Sequence, residues 1–196
     1  MTTKFKDCTI KISFFFALTL TLIGIFDKTN SALLCLFSAL LHECGHLSAL
    51  FLFKETPKEI VFTPFGIRIE RKNSNTLSFS KEAVCAFAGP LVNLILAFIF
   101  KGSYFSKINL AIGFLNLLTC EPLDGSKILE NILKTKMNFE KAERISLIVS
   151  CVTVFPVSIL GFILLFQSRY NFSLLIVSVY LIFFIAIKKK NLPDNQ

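Results

Sequence analysis

The sequence holds two histidines, His42 and His46, four residues apart in Leu41-His42-Glu43-Cys44-Gly45-His46. On a helix this spacing brings both imidazoles to one face, a turn apart, where they can share one zinc ion. Glu43 follows the first histidine directly, where a carboxylate can take a proton from a metal-activated water. Scattering two His and nine Glu at random produces this arrangement in roughly one chain in two thousand. The surrounding segment is apolar over a length that can cross a bilayer, and a carboxylate between two histidines is costly there without a function. The chemistry to which these residues point is metal-assisted hydrolysis.

The elements that must hold them are set by composition. Hydrophobic residues make up 54% of 196, with 23 Phe and 17% charged residues. The apolar residues fall in six runs, at 9–26, 31–53, 83–100, 108–120, 145–166 and 172–187. Most approach the length that spans a hydrocarbon core. The expected fold is an all-α polytopic membrane protein of about six transmembrane helices, forming a single domain over 1–196. A basic start followed by an apolar run also describes a signal peptide, but no Ala-x-Ala-like site follows Phe26, so the first run is expected to remain as a span.

The net charge of +8 is an orientation signal and does not point to nucleic acid. With six spans and an inside N-terminus, 17 of the 21 Lys and Arg fall on cytoplasmic segments. That bias predicts a cell-membrane protein with both termini in the cytoplasm, with anionic-lipid contact as a secondary effect. Six cysteines without a Cys-x-x-Cys pair predict free thiols.

Two inside segments carry more than connection. Residues 59–70 hold β-branched and aromatic runs interrupted by Pro64 and Gly66, and Ile67-Arg68-Ile69-Glu70 alternates with period two. This predicts a small β-hairpin at the cytoplasmic membrane surface, with a strand edge that an extended peptide could pair. From Gly125 to about Asn138, Ile128, Leu129, Ile132, Leu133 and Met137 line one side and Lys127, Glu130, Asn131 and Lys134 the other. That is an amphipathic helix for the inner leaflet.

Two histidines leave a catalytic zinc one protein ligand short. On a helix entering near Ser31, His46 lies about 22 Å in. The fourth apolar run has covered about 20 Å when it stops at Glu121-Pro122, so Cys120, Glu121 and Asp124 arrive at similar depth. Non-helical backbone at that depth needs burial in protein or a watered cavity. Asp124, followed by Gly125, is the favoured third donor; Glu121 and Cys120 are alternatives, and Asp124 could instead cap the amphipathic helix.

These residues resemble a known family. His42-Glu43-Cys44-Gly45-His46, Ala88-Gly89-Pro90-Leu91-Val92-Asn93, and Asn116-Leu117-Leu118-Thr119-Cys120-Glu121-Pro122-Leu123-Asp124-Gly125 look like the motifs of the site-2 protease family of intramembrane zinc metalloproteases. The Thr63-Pro64-Phe65-Gly66 loop and the six-span layout look most like its sporulation branch, the stage IV sporulation protein FB type. The resemblance implies His42, His46 and Asp124 as ligands of one Zn2+ per chain, Glu43 as catalytic base and Asn116 as a polar active-site residue. Asn93 and Gly89 are read as serving close helix packing. Thr119 stands where relatives often have Pro, and Ser126-Lys127 where they often have Gly-Arg. No CBS or PDZ domain is expected in 1–196, so a membrane regulatory partner would supply any control.

The activity so implied is cleavage of membrane-embedded or membrane-tethered protein substrates near the cytoplasmic face, such as a sigma-factor precursor or an anti-sigma factor. The alternative from another class is a catalytically silent membrane partner or a divalent-cation transporter. A transporter would be expected to show discontinuous helices in paired repeats, and none is found. A prenyl-protein protease would need acidic motifs that the chain lacks.

Overall fold

Near its start the chain carries Thr9, Ile10, Lys11 and Ile12. In the computed structural model, which describes residues 2–5, 8–55, 57–63, 66–71, 77–167 and 173–191, these residues form a strand. The elements run β1 (Thr2–Phe5), β2 (Cys8–Ile12), α1 (Phe14–Phe26), α2 (Ser31–Leu52), β3 (Pro57–Thr63), β4 (Gly66–Arg71), α3 (Phe79–Ile99), α4 (Tyr104–Leu117), α5 (Asp124–Lys134), α6 (Phe139–Gln167) and α7 (Ser173–Asn191). The chain divides into two compact units, Met1–Phe114 and Leu115–Gln196, with the division falling inside α4.

In the first unit the expected hairpin is present as β3–β4, antiparallel with Ile60 opposite Ile69 and Phe62 opposite Ile67. Pro64 and Phe65 of the connecting loop lie outside the described residues. The sheet is larger than expected. β2 pairs parallel with β3, Ile10 opposite Ile60, and β1 pairs antiparallel with β2, so the order is β1-β2-β3-β4. A parallel pair needs a long crossover, and α1 and α2 provide it. The Lys11 ammonium meets the Glu59 carboxylate at 2.8 Å across the β2–β3 pair. Kept as the outer turn of a lipid helix, Lys11 would face hydrocarbon; in a strand it finds a counter-ion. The first apolar helix therefore begins at Phe14 and not at residue 9, and the expected hairpin beside the helices is enlarged to a four-stranded sheet.

Each of the six apolar runs overlaps a helix: α1, α2, α3, α4, α6 and α7. Among the described residues only α2, α3 and α6 are long and apolar enough, by length and composition, to cross a membrane. α1 and α4 have 13 and 14 residues, about 20 Å each, because β2 takes the start of one and the turn after Leu117 ends the other. Large apolar side chains point outward throughout, including Phe98, Phe155 and Phe166. That is the exterior of a membrane protein.

α2 and α3 pack through small residues. On α3, Ala83, Ala86, Pro90, Asn93 and Ala97 are buried, alternating three and four positions apart, and α2 answers with Ser38, His42, Gly45 and Ala49. Without a hydrophobic drive between helices in lipid, close backbone approach and internal hydrogen bonds supply the attraction. α2 starts after an acidic turn, where the Asp27 carboxylate accepts from the N–H groups of Ser31 (3.1 Å), Ala32 (2.8 Å) and Leu33 (3.1 Å). These are donors that a helix start otherwise leaves unsatisfied.

In the second unit α5 packs on α6, and α6 on α7. Cys120, Val154, Leu181 and Ile185 form a buried apolar cluster, with Leu123 against it. The non-helical turn after α4 is tied to α6: the Ser150 hydroxyl donates to Thr119 O at 3.2 Å, and the Thr119 and Thr153 hydroxyls meet at 3.1 Å. The amphipathic helix expected from Gly125 is α5, with its last helical residue at Lys134. Five cysteines among the described residues (Cys35, Cys44, Cys85, Cys120, Cys151) are free thiols, as expected.

Candidate metal centre

One turn of α2 sets His42 above His46, and the missing side chain of Gly89 lets α3 approach them. A Cβ on Gly89 would run into the His46 ring and lie 2.7 Å from His42 Nε2. The two rings meet edge to face, with centroids 4.8 Å apart, and the two Nε2 atoms are 3.1 Å apart.

The opposite nitrogen of each ring is committed elsewhere. His46 Nδ1 lies 2.8 Å from the Cys85 carbonyl oxygen, an atom that can only accept, so Nδ1 carries the proton. His42 Nδ1 lies 2.6 Å from the Asn93 side-chain oxygen. Asn93 Nδ2 donates to Asn109 Oδ1 at 2.8 Å and to Ser38 O at 3.3 Å, so the amide presents its oxygen to His42. In each ring, when neutral, Nε2 is then a lone pair, and two such lone pairs face each other. They repel unless a cation lies between them. Tetrahedral zinc with bonds of about 2.0–2.1 Å holds two nitrogens about 3.3–3.4 Å apart, so these rings need move only a few tenths of an ångström. Ligating histidines almost always donate their second N–H to a carbonyl or carboxylate, and this pair does so to two oxygens. The two histidines fit a zinc ion.

Glu43 is half-buried on α2 between them, and Cys44 is exposed. Asn116 is half-buried near the end of α4. Asp124 is the first residue of α5, 5% exposed, and accepts from Lys127 Nζ at 3.0 Å. The cap position belongs to Leu123 and no side-chain cap bond forms, so Asp124 does not serve as the helix cap. Gly125 permits the turn before it, since a Cβ there would collide with the carbonyl oxygens of Leu117 and Leu118. The two alternative donors are engaged elsewhere. The Glu121 carboxylate pairs with Lys188 Nζ, which also donates to Glu130 Oε2 at 2.8 Å. Cys120 is 1% exposed in the apolar cluster, and its thiol donates to Glu121 O at 3.4 Å.

Residue reading missed Asn109, Ser38 and the Cys85 carbonyl, and gave Asn93 a packing role alone. The available signal was an uncharged polar residue in a lipid-length apolar run, which needs a partner.

No family model matches the chain. Among curated proteins it is similar to stage IV sporulation protein FB of Bacillus subtilis (strain 168), 31% identical over 158 residues. The alignment takes in 74% of this chain and 55% of the relative, so the chain spans about half the length of the curated protein it matches. Among solved structures it is similar to a site-2 protease from Methanocaldococcus jannaschii, with a TM-score of 0.63 and 22% identity, covering 100% of this chain and 98% of that one. The paired histidines, the glycine beneath them and the aspartate-glycine turn lie on that fold. By sequence the chain is similar to stage IV sporulation protein FB, and it shares its fold with the solved site-2 protease.

Proposed function

We propose that the chain is an intramembrane zinc endopeptidase that cuts membrane-embedded or membrane-tethered proteins near the cytoplasmic face. The observation that carries this reading is the pair of Nε2 atoms 3.1 Å apart with both Nδ1 atoms held by oxygen acceptors. Two neutral imidazoles so oriented are a half-built metal site.

His42 and His46 supply two ligands to one zinc, and Asp124 the third. In support of Asp124, it is an almost fully buried carboxylate at a family-motif position, while Glu121 and Cys120 have other partners. Bound zinc supplies Lewis acidity, which acidifies water and polarises a peptide carbonyl. Glu43, next to His42 in sequence, takes the proton from the attacking water and passes it to the departing amine. Asn116 offers an amide N–H to the carbonyl oxygen as negative charge develops there. The substrate is of the sigma-factor-precursor or anti-sigma-factor type, and the distribution of Lys and Arg supports a cytoplasmic side for both termini and the sheet.

The test uses purified protein in detergent with a membrane-tethered reporter, scored for zinc content and cleavage. Glu43→Gln should keep about one zinc per chain and lose cleavage by roughly a hundredfold or more, since an amide cannot take the proton. Cleavage at the normal rate by Glu43→Gln overturns the assignment. Wild-type protein that binds zinc and cuts no tethered substrate points to the silent-partner reading.

A further inference from the structure

Three polar side chains in the first unit, Ser38 on α2, Asn93 on α3 and Asn109 on α4, are 0% exposed. Buried amides in an apolar bundle are costly unless their bonding is complete. Here it is. Asn109 Nδ2 donates to Phe105 O at 2.9 Å and to Ser38 Oγ at 3.1 Å. Asn109 Oδ1 accepts from Asn93 Nδ2 at 2.8 Å, and Asn93 Nδ2 also donates to Ser38 O at 3.3 Å. Asn93 Oδ1 is left to face His42 Nδ1 at 2.6 Å.

The direction of this chain is imposed from its far end. Phe105 O and Ser38 O are backbone carbonyls and can only accept. If Asn109 flipped, its oxygen would oppose Phe105 O; if Asn93 flipped, its oxygen would oppose both Asn109 Oδ1 and Ser38 O. Each amide is therefore held in one orientation, and the last oxygen in line demands a proton on His42 Nδ1. We infer that Asn109 is a positioning residue that, through Asn93, holds His42 in the Nδ1–H tautomer and keeps its Nε2 lone pair available to a metal. This inference rests on the zinc reading above. Of the two acceptor bonds that orient Asn93, the one to Asn109 is shorter by half an ångström, so losing Asn109 loosens the amide and with it the ring. His46 is independent of the chain, since the Cys85 backbone carbonyl holds its Nδ1.

The experiment compares wild type, Asn109→Leu and His42→Ala in detergent. Zinc affinity is measured by chelator competition, and the tautomer of each histidine by nitrogen NMR on metal-free protein labelled at histidine. Loss of an outer partner of a ligating histidine costs about 10–100-fold in affinity, so Asn109→Leu should weaken zinc binding by at least about tenfold. Its His42 signal should shift toward a mixture of tautomers while His46 stays Nδ1–H. A general loosening of the bundle would move both histidines alike and would overturn the inference. So would wild-type affinity in Asn109→Leu when His42→Ala has lost the metal. If His42→Ala binds zinc normally, the metal reading itself fails. Should Asn109→Leu not fold, Ser38→Ala, which removes only one hydroxyl of the chain, should lower zinc affinity in the same direction by a smaller factor, and unchanged affinity there overturns the inference.

Discussion

At the scale of residues, the site turns on which atoms still have a lone pair to offer. The Asn93 and Cys85 oxygens accept from Nδ1–H of His42 and His46, which leaves Nε2 of each neutral ring as the lone pair. Carboxylates divide in the same way. Glu121 is matched with Lys188, whereas Asp124 sits almost buried at the head of α5 and meets the solvent-exposed Lys127. Asp124→Ala is therefore expected to weaken zinc binding by more than about a hundredfold, beyond the range seen for outer-shell partners, and to abolish cleavage. Glu121→Ala should leave zinc stoichiometry unchanged. Metal analysis of the two purified variants decides, and the reverse pattern moves the third ligand to Glu121.

At the scale of elements, two contacts bring the chemistry into register. The first is the α2–α3 seam. Gly89→Ala would press a methyl group into both imidazoles, so it should reduce zinc affinity by at least about tenfold, while an alanine at the exposed Gly102 turn should be neutral for the metal. Chelator competition measures both. The second is the ion cluster of the second unit, in which Lys188 at the end of α7 ties the turn at Glu121 to Glu130 on α5. Lys188→Met leaves two half-buried carboxylates without their shared donor and should lower stability by about 2 kcal/mol, with Lys188→Arg recovering much of it. Partial dehydration pushes the Glu130 carboxyl up, but hydrogen bonds from Lys134 and Lys188 outweigh that and hold it below its ordinary value. A lowered folded pKa means the unfolded chain binds the proton more readily. The contribution is therefore present above the ordinary carboxylate range and is lost as pH falls through the lowered folded value. Melting in detergent between pH 6 and pH 3 should show the fall, and Lys188→Met should flatten it.

At the scale of the whole molecule, the question is which side of the bilayer the sheet and α5 face. Seventeen of 21 basic residues fall on segments assigned to the cytoplasm, while the proposed outside turns at 27–30 and 101–107 are short. A hydrolase in lipid needs a route for water, and such turns offer little material to line one. In a background without native thiols, Lys136→Cys should react with an impermeant reagent only from the cytoplasmic side, and Lys101→Cys only from outside. Both positions are exposed, whereas Ser126 beside the aspartate is fully buried and would not report. Labelling of position 136 from outside would reverse the orientation and the side on which products emerge.

Much of this protein follows from local order in its sequence. The apolar runs announced most of the helices, the alternation at 67–70 announced a strand, and two histidines a turn apart had to share a face. These features are periodic, so they are legible one segment at a time. What tertiary structure alone decided has no period. Lys11 lies 48 residues from Glu59, yet that partner is what takes residues 8–12 out of the first helix and into the sheet. Glu121 stood as the alternative to Asp124, and only the fold shows it paired with Lys188, 67 residues on. Asn109 is one polar residue in an apolar run, and only the crossing of α2, α3 and α4 puts it in line with Asn93 and His42. A hydrogen bond in a bundle depends on which helix faces lie opposite each other, and that is settled by packing between segments far apart in the chain.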